Sequence, residues 1–319
     1  MPRMLYSLLP SFALLLALTA CQPEPTPEDV SGEEEAVLVV QDFPTAGTVT
    51  APDGVGIAYS QQGSGEPALV FIHGWSCDRT YWRHQLEPFA RSHRVVSVDL
   101  AGHGDSGRQR SPWSFQAFGA DVRAVVEELG IERVILVGHS MGGPVALEAA
   151  SQLSGRVLGV VGVDTLHDAD SKFEPTQWQE ILAAYRQDFD GTCDRFVRSM
   201  FLEGADPEQV TDVVQDMCAA PPEIAISLLS LFPDYDMKAA LASAGVPVHS
   251  INAASIPTNV EGNRRFAQGF DATVMDGVGH FLMMERPEAF NTELQGVIEG
   301  FRNPSASPRP GDAAATAET

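Results

Sequence analysis

Apolar and polar positions alternate in two distinct rhythms through the middle of this chain. Short, nearly unbroken apolar runs occur at 68–72 (ALVFI), 94–98 (RVVSV), 133–137 (RVILV) and 157–163 (VLGVVGV). Runs of that kind are expected of strands covered on both faces. Between them, residues 115–129 place Phe118, Val122, Val125, Val126 and Leu129 on one side at helical spacing, and 140–153 forms a second helical pattern. Strands alternating with helices imply a mostly parallel sheet. From 168 to 241 the strand rhythm stops, leaving helical stretches at 178–185, 196–201, 207–217 and 224–232. Strand-like sequence returns at 246–251 and 272–275, followed by a helix over 287–301. The pattern predicts an α/β fold: a mostly parallel central sheet with flanking helices in a core of 48–167 and 242–302. A helical cap insertion over 168–241 interrupts that core.

The ends read differently. Arg3 precedes an apolar run from about Leu8 to Ala20, shorter than the ~20 residues a membrane-spanning helix requires. It closes in Leu18-Thr19-Ala20-Cys21, which resembles the lipobox of bacterial lipoproteins. That resemblance implies a signal peptide at 1–20, lipid attachment at Cys21, export and anchoring to the cell envelope. Gln22 after the cysteine leaves an outer-membrane address open. An ordinary signal peptide cut near Ala20 and an uncleaved anchor are the alternatives. Residues 21–47 begin rich in Pro, Glu, Thr and Ser and read as a tether, and 303–319 reads as a tail with little to bury.

The net charge of −23, with Lys172 and Lys238 the only lysines, speaks against nucleic acid and other polyanionic partners. The four cysteines show no metal-ligand spacing, and no metal or cofactor is expected. Once Cys21 is assigned to lipid, Cys193–Cys218 is the pair to draw as a disulfide, since both fall in the helical insertion. Oligomeric state is not legible.

The chemistry concentrates at Gly138-His139-Ser140-Met141-Gly142, a G-x-S-x-G string directly after one apolar run and before a helix. A sharp strand-to-helix turn lifts a serine hydroxyl above the sheet, at a helix N-terminus that favours developing negative charge. Three further segments follow in order: His73-Gly74-Trp75, the turn Asp99-Leu100-Ala101-Gly102-His103-Gly104-Asp105-Ser106-Gly107, and Gly279-His280-Phe281. With these, the chain resembles the α/β-hydrolase superfamily from 48 to 302. The resemblance implies Ser140 as nucleophile, His280 as general base, and an oxyanion hole from the backbone N–H groups of Trp75 and Met141. His73, His103, His139 and Asp99 read as structural.

The acid departs from the commonest pattern. The loop after 246–251, Asn252-Ala253-Ala254-Ser255-Ile256-Pro257-Thr258-Asn259, holds no carboxylate. Either the triad lacks an acid, or Asp164, at the end of 157–163, supplies it in the order Ser–Asp–His. Asp168 and Asp170 are the next candidates. A serine argues against the dehalogenases and epoxide hydrolases of this fold, which need a carboxylate there. The expected activity is hydrolysis of a neutral carboxylic ester or lactone, a small molecule, in an apolar pocket near Trp75, Cys77, Tyr81, Trp82 and Met141. A C–C bond hydrolase, a cofactorless peroxidase and a non-catalytic binding protein of the same fold are the other readings.

Overall fold

The structure is a computed structural model that describes residues 45–302. Strands β1 (Thr45–Thr50) and β2 (Gly56–Gln62) form a hairpin, followed by β3 (Ala68–Ile72), a 3-10 turn (Arg79–Trp82), α1 (Arg83–Ala90) and β4 (Val95–Val98). Next come α2 (Phe115–Glu128), β5 (Val134–His139), α3 (Gly142–Gln152) and β6 (Val157–Val163). Five helices follow: α4 (Pro175–Gln187), α5 (Phe189–Ser199), α6 (Pro207–Cys218), α7 (Pro222–Leu229) and α8 (Met237–Ala244). The chain continues through β7 (Val248–Ala253), α9 (Val260–Arg264), β8 (Asp271–Met275), α10 (Leu282–Glu285) and α11 (Pro287–Arg302).

The strands make one sheet in the order β1-β2-β4-β3-β5-β6-β7-β8. β2 runs antiparallel to both β1 and β4, and the remaining pairs are parallel. Every residue of β3, β4 and β5 is buried, which is why these strands read as continuous apolar runs. Two helical groups cover the sheet: α1 packs with α11, and α3 packs with α2 and α8. The direction of winding reverses between β3 and β5, which are adjacent although β4 lies between them in sequence. In open α/β sheets the crevice beyond the strand ends at such a reversal is where ligands bind. Here the end of β3 leads into His73-Gly74-Trp75 and the end of β5 into Ser140.

Two helices of the insertion start at carboxylate caps. Asp188 accepts the N–H of Gly191 at the start of α5, and Asp206 that of Glu208 at α6. The expected helix at 196–201 therefore begins earlier, at Phe189, and ends at Ser199. Helix α8 crosses the expected 241/242 boundary and packs on α3, so it belongs with the sheet's covering helices. Strand β1 starts at Thr45, inside the stretch expected to be tether, because main-chain pairing with β2 holds it and only Val49 of its side chains is buried. The rest of the expected tether, the expected signal peptide 1–20, Cys21 and the expected tail 303–319 lie outside the described residues. No described helix is long and apolar enough to cross a membrane.

Cys193 on α5 and Cys218 on α6 are joined, with their Cα atoms 5.7 Å apart at a sequence separation of 25. A cross-link closing a loop of that length stabilises by about 3 kcal/mol, chiefly through the unfolded chain. Replacing both cysteines by alanine is expected to lower the unfolding free energy by about that amount, read from denaturant melts.

Candidate active site

Ser140 leaves β5 with φ 51°, in the left-handed region. A residue held there costs on the order of 1–3 kcal/mol and persists only when its surroundings impose it. They do so here by close approach. A Cβ on Gly138 would lie 2.1 Å from the carbonyl oxygen of Gly142, and one on Gly142 would lie 2.5 Å from that of Ile72. The Ser140 N–H donates to the Val163 carbonyl at 3.0 Å, tying the turn to the neighbouring strand.

Asp164 ends that neighbouring strand, also with positive φ, 46°. Its Oδ2 lies 2.6 Å from His280 Nδ1, and its Oδ1 accepts the Ala253 N–H at 2.9 Å. An ionised carboxylate only accepts, so the imidazole carries its proton on Nδ1 and keeps a lone pair on Nε2. Burial pushes the Asp164 carboxyl up, but the hydrogen bond and charge of His280, with the Ala253 N–H, outweigh it and hold the pKa below the usual range. Asp168 and Asp170 are engaged elsewhere. Asp168 accepts the Asp170 N–H, and Asp170 pairs with Lys238 at 2.6 Å and with Arg265.

The loop carrying His280 is pinned from three sides. His280 N–H donates to the Met200 carbonyl at 2.9 Å, and His139 Nε2 donates to the His280 carbonyl at 2.9 Å. Glu285 takes the N–H groups on either side, from Gly279 at 2.9 Å and Phe281 at 3.2 Å. Glu285 carries no motif of its own, and sequence reasoning missed it. The Ser140 hydroxyl makes no hydrogen bond among the described residues; in free enzymes such contacts commonly tighten only on substrate binding.

The other histidines brace the walls. His73 donates from Nδ1 to the Gly74 carbonyl and accepts the Leu100 N–H on Nε2; burial lowers its pKa to about 4. His103 spans from the Ala101 carbonyl to the Ser76 N–H, and burial takes it to about 3. His139 is likewise lowered to about 3, by burial first and then by the neighbouring His280. All three are neutral at physiological pH. The N–H groups of Trp75 and Met141 have no protein acceptor among the described residues. The Trp75 indole donates to the Ala225 carbonyl of α7 at 2.8 Å, tying this loop to the helical insertion.

Ser140 and His280 line a cavity of about 450 Å³. Its far wall comes from the insertion: Phe173, Trp178, Tyr185, Phe196 and Phe232, facing Trp75 and Cys77. Tyr81, Trp82 and Met141, expected in this pocket, are instead buried beside it. Trp82 packs on Phe71 and Phe290, filling the space under the sheet. On the other side of Ser140 a wider, more polar basin of about 720 Å³ is lined by Asp164, His167, Lys172 and Lys238. No cluster of potential metal ligands occurs among the described residues.

The Alpha/beta hydrolase family matches residues 69–293. The chain belongs to that family. It is 26% identical over 263 residues to a 3-oxoadipate enol-lactonase of Acinetobacter baylyi, covering 80% of this chain and 97% of the relative. It is 35% identical over 146 residues to the dihydrolipoyllysine-residue acetyltransferase component of the acetoin cleaving system of Cupriavidus necator. That match covers 46% of this chain and only 37% of the relative's length. An esterase from Exiguobacterium antarcticum superposes with TM-score 0.71 at 19% identity, over 79% of this chain and 98% of that one, and shows the shared fold.

A depressed carboxylate contributes stability that is present above its unfolded pKa, about 3.9, and lost as pH falls through its lower folded value. Asp164→Asn is therefore expected to be less stable than the parent at pH 7, with the gap closing below about pH 4. Thermal melts of both proteins across pH 2–7 check this; a gap that widens with acid contradicts it.

Proposed function

We propose that this α/β hydrolase cleaves neutral carboxylic esters or lactones through an acyl-enzyme on Ser140. The 2.6 Å contact between Asp164 and His280, in a site that shares its cavity with a serine forced above the sheet, is the observation that supports this reading most. With Nδ1–H committed to Asp164, His280 Nε2 takes the Ser140 proton as Oγ attacks the carbonyl carbon. The negative charge on the former carbonyl oxygen is met by the unpaired N–H groups of Trp75 and Met141. Collapse breaks the bond to the alcohol oxygen, which leaves with the proton from Nε2. Water then repeats the attack with His280 as base, and the acid is released with Ser140 restored.

The apolar cavity favours a neutral, apolar acyl or alcohol portion of modest size. Its aromatic wall is uncharged, in a chain of net charge −23, so nothing there neutralises an anion. Hydrolysis of p-nitrophenyl acyl esters is expected from protein starting at residue 22, with a chain-length optimum. Ser140→Ala is expected to lose about 10⁶ in kcat. Asp164→Asn is expected to lose about 10⁴, because the amide selects the wrong histidine tautomer. Loss with Ser140→Ala alone would point to a different acid.

The export and anchoring reading rests on the 1–21 sequence. We place the enzyme on the cell envelope through lipid at Cys21, reaching its substrate outside the cytosol. Metabolic labelling with a fatty acid is expected to mark the parent and to fail for Cys21→Ser; equal labelling of both contradicts it.

A further inference from the structure

We propose that His167 is a positioning residue for the triad carboxylate, its Nε2–H held toward Asp164 by Asn252 at the end of β7. This rests on the hydrolase reading of the same site.

The protonation state follows from a chain of hydrogen bonds. Asn252 is fully buried. The Thr165 N–H donates to its Oδ1 at 3.0 Å, which fixes that atom as oxygen. The NH2 therefore faces the other way, donating to Thr258 Oγ1 at 2.8 Å and lying 3.2 Å from His167 Nδ1. An amide nitrogen has no lone pair to offer, so His167 Nδ1 must be the acceptor. The proton of the neutral imidazole is then on Nε2, and Nε2 lies 3.7 Å from Asp164 Oδ1. Burial lowers the pKa of His167 against the pull of Asp164, so the neutral form is the one present at pH 7.

The main chain around His167 is held as closely as the ring. Its carbonyl accepts the Asn259 N–H at 2.7 Å. Asn263, also fully buried, accepts the Ala169 N–H at 2.8 Å and donates to the Leu166 carbonyl at 2.8 Å. Leu166, just before, sits at φ 55°. Three asparagines from one segment thus clamp the loop 164–169 in a conformation that turns His167 back toward the carboxylate.

The two oxygens of Asp164 have distinct duties. Oδ2 faces His280, while Oδ1 receives the Ala253 N–H and faces His167. The titratable groups facing His167 are Asp164 and His280; Asn252 and Thr258 are neutral. When His280 takes the serine proton, the carboxylate must stay ionised and in place. An N–H dipole 3.7 Å from Oδ1, longer than a hydrogen bond, still favours the ionised carboxylate electrostatically and so opposes transfer of the proton to it. That demand arises only after substrate is bound, so the effect belongs in kcat and not in KM.

The test begins with the unaltered protein. Long-range imidazole ¹⁵N–¹H spectra at pH 7 are expected to show His167 as the Nε2–H tautomer, and to lose that preference in Asn252→Ala. His167→Leu is expected to lower kcat about tenfold with KM within about twofold. His167→Gln, which keeps an N–H donor, is expected to recover most of it; a side chain that merely fills space would not be rescued in this way. An Nδ1–H tautomer in the parent overturns the proposal, as does a His167→Leu enzyme with parental kcat. If His167→Leu does not fold, the parental tautomer still decides. A parent inactive on every ester contradicts the hydrolase reading, and the tautomer in that same sample reports separately on His167.

Discussion

The site depends on the pairing of two adjacent parallel strands that both end in left-handed residues. His139 of β5 pairs with Val163 of β6, so the next residues along, Ser140 and Asp164, leave the sheet side by side. The Ser140 N–H closes on the Val163 carbonyl, and the Asp164 N–H on that of Ile251 in β7. Both turns have positive φ that ordinary side chains avoid, and the sheet ladder beneath holds them there. Spacing between Ser140 and Asp164 is therefore a property of strand register, set before either side chain makes a contact. His280 then needs only to be delivered to the carboxylate, and that is what Glu285, His139 and the Met200 carbonyl do.

The surroundings explain how one ionised group persists in so buried a place. Burial alone would push the Asp164 carboxyl toward its neutral form; His280 and a main-chain N–H reverse that. Nearby, His73, His103 and His139 lose their charge through burial and serve as hydrogen-bonding struts. The apolar wall contributed by the insertion lines the cavity on one side of Ser140, while the polar basin opens on the other. Trp75 connects the two halves, with its N–H unpaired at the strand end and its indole bonded to α7. Shape on the insertion side and chemistry on the sheet side are thus mechanically linked.

Much of this was legible from sequence because the buried strands carry their own signature. Residues 68–72 and 157–163 coincide with β3 and β6, since a strand covered on both faces has no polar positions to blur its limits. The hairpin β1–β2 left no such trace: apart from Val49, Ile57 and Ala58 its residues are exposed or half-exposed and rich in Thr, Ser, Gly and Gln, and main-chain pairing holds it to the sheet. Ser140 and His280 stand out as candidates from local motifs. The position of Asp164 was a choice among several carboxylates, because reach across strand ends is a three-dimensional quantity. Asn252 and Asn263 are invisible for the same reason, since they act on backbone groups about 90 residues away, and Glu285 acts on nearby N–H groups through a loop shape that no residue spacing announces.

The central claim is that strand register and the Asp164–His280 contact together make Ser140 an activated nucleophile. Covalent labelling by a fluorophosphonate, located by peptide mass spectrometry, tests it most directly. The account predicts a single adduct on Ser140, formed rapidly by the parent and far more slowly by folded Asp164→Asn. Absence of labelling at Ser140 in folded parent protein, or equal rates in the two proteins, would contradict it.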